Sequence, residues 1–179
     1  MTESTLMVLP DVQSSTDRRN IPIQKVGVKG IRTPILVKSQ SGAQHTVAHV
    51  EMYVALPADK KGTHMSRFWT LLGSVEKPFA PVMLKEVISQ MLESLKADEG
   101  YIRLCFPFFM EKKAPVSELE STMDYDVELV AETLNGQTTV FQKVTAPVTS
   151  LCPCSKEISK YGAHNQRSHV SISAEVQTN

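Results

Sequence analysis

Residues 125–148 read YDVELVAETLNGQTTVFQKVTAPV. Tyr125, Val127, Leu129 and Ala131 alternate with Asp126, Glu128, Val130 and Glu132, the period-two pattern of a half-buried strand. Asn135-Gly136 follows, a pair that tight hairpin loops select because both turn positions need positive φ. Thr138–Val148 is the return strand. One antiparallel hairpin is therefore legible, and the rest of the chain is placed around it.

Upstream, Tyr101–Met110 is apolar enough for a strand, joined to the hairpin by a polar link, Glu111–Thr122. Before it, Leu84, Val87, Ile88, Met91, Leu92 and Leu95 form one stripe over three helical turns, with Pro81 near the start and Gly100 beyond the end. A first helix begins after Thr63, a candidate cap, with Met65, Phe68, Trp69 and Leu72 at helical spacing and Gly73-Ser74 as its stop. These Met and aromatic residues are expected in the core. Thr46, Ala48, Val50, Met52, Val54 and Leu56 share one face of a strand; His45, Val47, His49, Glu51 and Tyr53 share the other. Gln24–Lys38 is its hairpin partner through a turn at Ser41-Gly42, with a bulge or bend expected at Gly30 or Pro34. The order strand, strand, helix, helix, strand, strand predicts an α+β layer: an antiparallel sheet with two helices on one face. A loop and short helix, 153–162, then lead to a last alternating strand around Val170, Ile172 and Ala174. The expected divisions are an arm over 1–22, a first module over 23–148, and over 149–179 a loop with the opening strands of a second, incomplete module. The arm is expected to order against a partner or neighbouring subunit.

Composition narrows the function. The 179 residues carry 19 Lys and Arg against 19 Asp and Glu, so neither nucleic acid nor an acidic membrane is an expected partner. The longest apolar run, Leu104–Met110, is too short to span a bilayer. Three cysteines make an odd count, and Cys152 and Cys154 are too close in sequence for an unstrained mutual bond, which points to a reducing cytoplasm.

Two clusters can carry chemistry. Cys152-Pro153-Cys154 followed by His164 and His169 gathers thiols and imidazoles, the polarisable donors that Zn²⁺ and similar ions favour. Spacing alone leaves free cysteines and surface histidines as an equal reading. Lys60-Lys61-Gly62-Thr63-His64-Met65-Ser66-Arg67 sets cations at a helix start, where amides and dipole favour an anion; a charged loop with a helix cap is the simpler alternative. His45 and His49, four apart on a strand, stand about 13 Å from each other, too far to share a metal. Cys105, between Leu104 and Phe106, reads as a core thiol.

Four stretches resemble the type IB GTP cyclohydrolases of the folate pathway: Leu9–Ser15 (LPDVQSS), Lys25–Arg32 (KVGVKGIR), Lys61–Phe68 (KGTHMSRF), and Thr149–Ser159 (TSLCPCSKEIS) running on through Tyr161–His169 (YGAHNQRSH). The resemblance implies the tunnelling fold, sheet-plus-two-helix modules that join into barrels between subunits, two modules per chain, and a homotetramer. It implies opening of the GTP imidazole ring at C8, release of formate and closure to 7,8-dihydroneopterin triphosphate. It implies Cys152 and His164 as metal ligands, with zinc or manganese bound and iron as a third candidate. Cys152 is then also catalytic, and Cys154 stands behind it, steering the thiolate. On chemical grounds, His64 and Arg67 are expected to line the pocket or move protons. Lys61, Thr63 and Ser66 are expected beside the substrate, and Arg167 and His169 near the triphosphate or a neighbouring module. Gln13 and Ser14 are expected at a subunit border.

Family members run longer, and their second module supplies a glutamate ligand, a later histidine and the acidic residue that anchors guanine. No such positions follow Asn179, so a chain of this length is expected to bind metal weakly and to be inactive. Three other readings stay open: a type IV activity with a cyclic-phosphate product, a non-catalytic metal-binding or assembly module, and a relative using Cys152 as a nucleophile.

Overall fold

The computed structural model describes residues 13, 15–40, 42–75 and 77–177. Six strands, β1 (Ile23–Ser39), β2 (Gly42–Leu56), β3 (Gly100–Lys113), β4 (Glu120–Leu134), β5 (Gln137–Leu151) and β6 (Asn165–Glu175), form one antiparallel sheet in sequence order. Helices α1 (Met65–Gly73) and α2 (Met83–Leu95) lie on one face, and α3 (Pro153–Ile158) sits in the β5–β6 connection. This is the α+β layer read from the sequence, and it has the arrangement of a tunnelling-fold module.

The alternation in β2 places Ala48, Val50, Met52 and Val54 under the helices, all buried. Ile102 and Leu104 of β3 and Leu129 and Ala131 of β4 continue that face across the sheet. The α2 stripe closes on it through Leu84, Val87, Ile88, Met91 and Leu95. The β4–β5 hairpin turns at Asn135 (φ 50°) and Gly136 (φ 76°), the two positive φ values of the primed turn that matches strand twist.

Several local expectations are corrected. Helix α1 buries Phe68 and Leu71, while Met65 and Trp69 face solvent, Trp69 at 55% exposure. The apolar spacing allowed two faces, and packing against the sheet selected the one bearing Leu71. His64, not Thr63, is the residue preceding α1, and Thr63 is itself buried. Gly100 lies beyond the end of α2, as expected, but does not cap it. Lys96 does, in a left-handed conformation (φ 52°), with the Ala97 N–H on the Leu92 carbonyl. Gly100 instead opens β3, where an added Cβ would lie 2.8 Å from Leu92 Cδ2 and 2.9 Å from Met91 Cε. Glycine lets helix and sheet close there.

Strands β3 and β4 pair from Lys113↔Glu120 onward, so Glu111–Lys113 and Glu120–Thr122 belong to strands and the polar link shrinks to 114–119. One register shift in β1 falls between Val28 and Ile31, at Gly30 (φ 71°), and a second between Ile23 and Val26, whereas Pro34 pairs in register with Val47. Cys105 is partly exposed on the helix-free face, between His49 and Glu128 of the flanking strands, rather than in the core. The arm pairs with its own chain. The Asp17 N–H donates to the Asp59 carbonyl at 2.8 Å, Lys61 N–H to Ser15 at 3.2 Å, and Gly62 N–H to Gln13 at 3.2 Å. The remaining arm positions 1–12 and Ser14, and Ser41 of the first turn, lie outside the described residues.

The helices cover half of the sheet. A helix of 13 residues such as α2 is about 20 Å long, and a strand of 15 such as β4 about 50 Å. Beyond the covered half the sheet forks. Strands β4 and β5 are paired from Asp126↔Thr145 toward their shared turn. Farther out, β3 pairs with β4 as one ribbon, Pro107↔Asp126 to Lys113↔Glu120, and β5 with β6 as another, Ala146↔Val170 to Leu151↔Asn165. At the crotch lies an apolar groove of about 420 Å³ lined by Phe79, Phe106, Phe108, Tyr125 and Val144.

Candidate metal centre and substrate loop

The β5–β6 ribbon ends in the Cys-Pro-Cys motif. Leu151 pairs with Asn165, so the chain leaves at Cys152 and returns at His164 on adjacent strand ends. The Cys152 N–H donates to the His164 carbonyl at 3.3 Å. Cys152 is extended and precedes α3, whose first residue is Pro153, a position where the missing amide hydrogen is no loss. Cys152 is partly exposed; Cys154 and His164 are exposed. The backbone amide of Ser155, with further help from the amide and thiol of Cys154, holds the Cys152 thiol below its ordinary pKa. Each of these donors favours the sulfur as thiolate, the form that binds metal.

A thiolate and an imidazole suit Zn²⁺-class ions, and Cys152 and His164, on adjacent strand ends, would provide two of the four ligands usual for zinc. Among the described residues no three of His, Cys, Asp and Glu gather closely enough to hold a metal. The donor chemistry fits a divalent ion, with the pair as part of its shell. Arg167 pairs with Thr149 and His169 with Pro147, so both stand on the helix-free face of β6 beside this loop.

The second cluster follows β2. His64 is partly exposed, Lys61 and Ser66 are exposed, and Thr63 is buried. The Arg67 guanidinium donates to the Ser94 carbonyl, and Lys60 Nζ to the Lys96 carbonyl at 2.8 Å. Both cations thus sit on the last carbonyls of α2, where the helix end is negative. These contacts tie the loop to the helix end regardless of any substrate.

The clusters do not meet within one chain. The 60–67 loop lies at the end of the sheet where Val54, Gly100, Thr133 and Thr138 are in register. Cys152 and His164 lie past Leu151↔Asn165, thirteen residues further along β5, which is roughly 40 Å. They are also three strands across at Cys152 and four at His164, about 14 and about 19 Å. Ser155 was not singled out by sequence, although its place three residues after Cys152 is the signal that could have found it.

Fold and loop together define an α+β tunnelling-fold protein with a thiol–imidazole pair at one sheet edge. Residues 9–179 match the family described as GCHY-1, type I GTP cyclohydrolase folE2, and the chain belongs to that family. It is 55% identical over 170 residues to GTP cyclohydrolase FolE2 of Paraburkholderia xenovorans (strain LB400), covering 94% of this chain and 63% of that protein. It is 51% identical over 173 residues to GTP cyclohydrolase FolE2 of Thiobacillus denitrificans (strain ATCC 25259 / T1), covering 96% of this chain and 64% of that protein. The chain spans 63% of the length of the Ralstonia nicotianae (strain ATCC BAA-1114 / GMI1000) relative as well, at 53% identity. No helix among the described residues is long and apolar enough to cross a membrane.

Proposed function

We propose that the protein hydrolyses GTP to 7,8-dihydroneopterin triphosphate and formate, a step that feeds tetrahydrofolate synthesis. The observation that carries the reading is family membership over residues 9–179, which includes the loop where Cys152 and His164 meet through their main chains. Cys152 and His164 would hold a divalent ion, zinc or manganese, with iron as a third candidate. When bound, such an ion supplies Lewis acidity and a water whose pKa falls to about 7. Cys154 hydrogen-bonds the Cys152 sulfur and keeps it available as a thiolate. Arg167 and His169, on the same face of β6, receive the charged triphosphate or meet a neighbouring module. His64 transfers protons during ring opening. Lys61, Thr63, Ser66 and Arg67 hold the substrate around it, with Arg67 positioned by the Ser94 carbonyl. The three free thiols agree with a cytoplasmic setting.

The separation of the two clusters supports a site built from two chains, with a homotetramer as the assembly. His64 of one copy would serve Cys152 of another. Two measurements test this. GTP with Mn²⁺ or Zn²⁺ is expected to yield formate and a fluorescent neopterin, against the expectation of inactivity drawn from sequence alone, and a cyclic-phosphate product would replace this activity with the type IV one. His64→Ala and Cys152→Ala proteins, each inactive, are expected to recover activity when mixed and reassembled. No recovery in mixed oligomers would place both clusters in separate sites.

A further inference from the structure

The loop that carries Cys152 and His164 has no apolar anchor. Helix α3 buries no residue, Ile158 is 88% exposed and Tyr161 fully exposed. Every residue of β6 is exposed. Packing therefore does not fix the spacing of the two side chains, and hydrogen bonds must.

Three such bonds join the loop's two ends. One is the Cys152 N–H on the His164 carbonyl, at 3.3 Å. The other two share one oxygen. The Ser155 hydroxyl donates to the Cys152 carbonyl at 3.2 Å, and the His164 N–H donates to that same hydroxyl oxygen at 3.2 Å. A hydroxyl has one hydrogen to give and two lone pairs to receive, so it can satisfy both partners at once. Alanine at 155 would leave the Cys152 carbonyl with the 3.3 Å bond from the Lys156 N–H and take the hydroxyl acceptor from the His164 N–H.

We propose that Ser155 is the positioning residue of this site, its hydroxyl bridging the main chains of Cys152 and His164 so that thiol and imidazole are presented together. The proposal rests on the reading of those two residues as metal ligands. Ser155 itself touches neither metal nor substrate in this role. It acts through the residues on either side of it, as outer partners of ligands do elsewhere.

The test compares wild type, Ser155→Ala and Ser155→Thr, with Co²⁺ as the metal probe. In metal-free protein the His164 amide is expected to exchange its proton about three- to tenfold faster in Ser155→Ala, the loss expected for one hydrogen bond. Ser155→Thr, which keeps the hydroxyl, should match wild type. Co²⁺ should give a thiolate-to-metal charge-transfer band in wild type, and its affinity should fall roughly ten- to a hundredfold in Ser155→Ala. Should Ser155→Ala fail to fold, protection of the His164 amide in wild type, against the neighbouring exposed loop amides, tests the bridge without a variant. Unchanged exchange and unchanged Co²⁺ affinity in Ser155→Ala would overturn the bridge while leaving the ligands in place. A wild type without the thiolate band would instead remove the ligand reading, and amide exchange alone would then decide whether Ser155 orders the loop.

Discussion

Under the helices, Met52, Leu84, Ile88 and Ile102 are almost wholly out of water. At the other end of the sheet, every residue of β6 faces solvent and the ribbons part. The two regions share one continuous sheet yet are held by different forces. In the covered half, apolar area removed from water dominates, and each large side chain there contributes about 1.5–3 kcal/mol. In the open half, ladder hydrogen bonds and the Ser155 bridge set the geometry. The thiol–imidazole pair sits in the open half, where the backbone is presented rather than buried. Residues proposed to carry chemistry and residues that carry stability are thus separated in space, and substitutions should report on one or the other.

The sharpest break in this comparison is His164→Ala. On the proposed reading of His164 as a metal ligand in a formate-releasing site, its loss forfeits several kcal/mol of charge stabilisation, so formate release is expected to fall at least roughly a hundredfold. Urea denaturation of the same variant should shift by no more than about 0.5 kcal/mol. A large stability loss would mean that the open half is structural after all.

Phe68→Ala tests the covered half. Phe68 is fully buried, and its truncation should destabilise by about 3–5 kcal/mol. Ile172→Ala on β6, where the side chain is 68% exposed, should change stability by less than about 0.5 kcal/mol in the same assay. Comparable losses for both would erase the distinction. Gly100→Ala probes the seam between helix and sheet. Its new methyl would meet the flexible ends of Leu92 and Met91, and a cost of about 1 kcal/mol is expected as they give way. A neutral result would show that the seam is looser than the distances imply.

The smallest effect contrasts two thiols in metal-free protein. Cys152 is held below its ordinary pKa by the Ser155 and Cys154 donors. Cys105 is pushed above it, chiefly by burial, with Glu128 and Glu51 adding to the rise and Arg103 opposing it. A lower pKa means more thiolate at a given pH, so Cys152 should react with iodoacetamide first and begin to react at lower pH. Equal rates at pH 7, followed by peptide mass mapping, would refute the assignment.

Much of this was legible beforehand. The β2 alternation and the α2 stripe each admit a single burial pattern, and Asn135-Gly136 admits one turn, so those elements emerge where the residues place them. Helix α1 was ambiguous because Trp69 and Leu71 both lie on plausible faces, and only the sheet beneath decides between them. Cys105 was misplaced because a strand of apolar neighbours hides which face is which; its partners His49 and Glu128 reveal the polar side. The Cys-Pro-Cys loop stood out by its residue types, but Ser155 did not, since its place three residues after Cys152 gains meaning only once its two partners are known.

By itself, then, the sequence determined the elements, the antiparallel hairpins, the family and the residues proposed as metal ligands, because periodicity, turn chemistry and donor type are local properties. Tertiary structure decided that the two reactive clusters lie at opposite ends of the sheet, that the helices shelter half of it, and that Cys152 and His164 meet through a shared serine. Those outcomes depend on strand register and on packing between residues far apart in the chain, and neither is written in any short stretch.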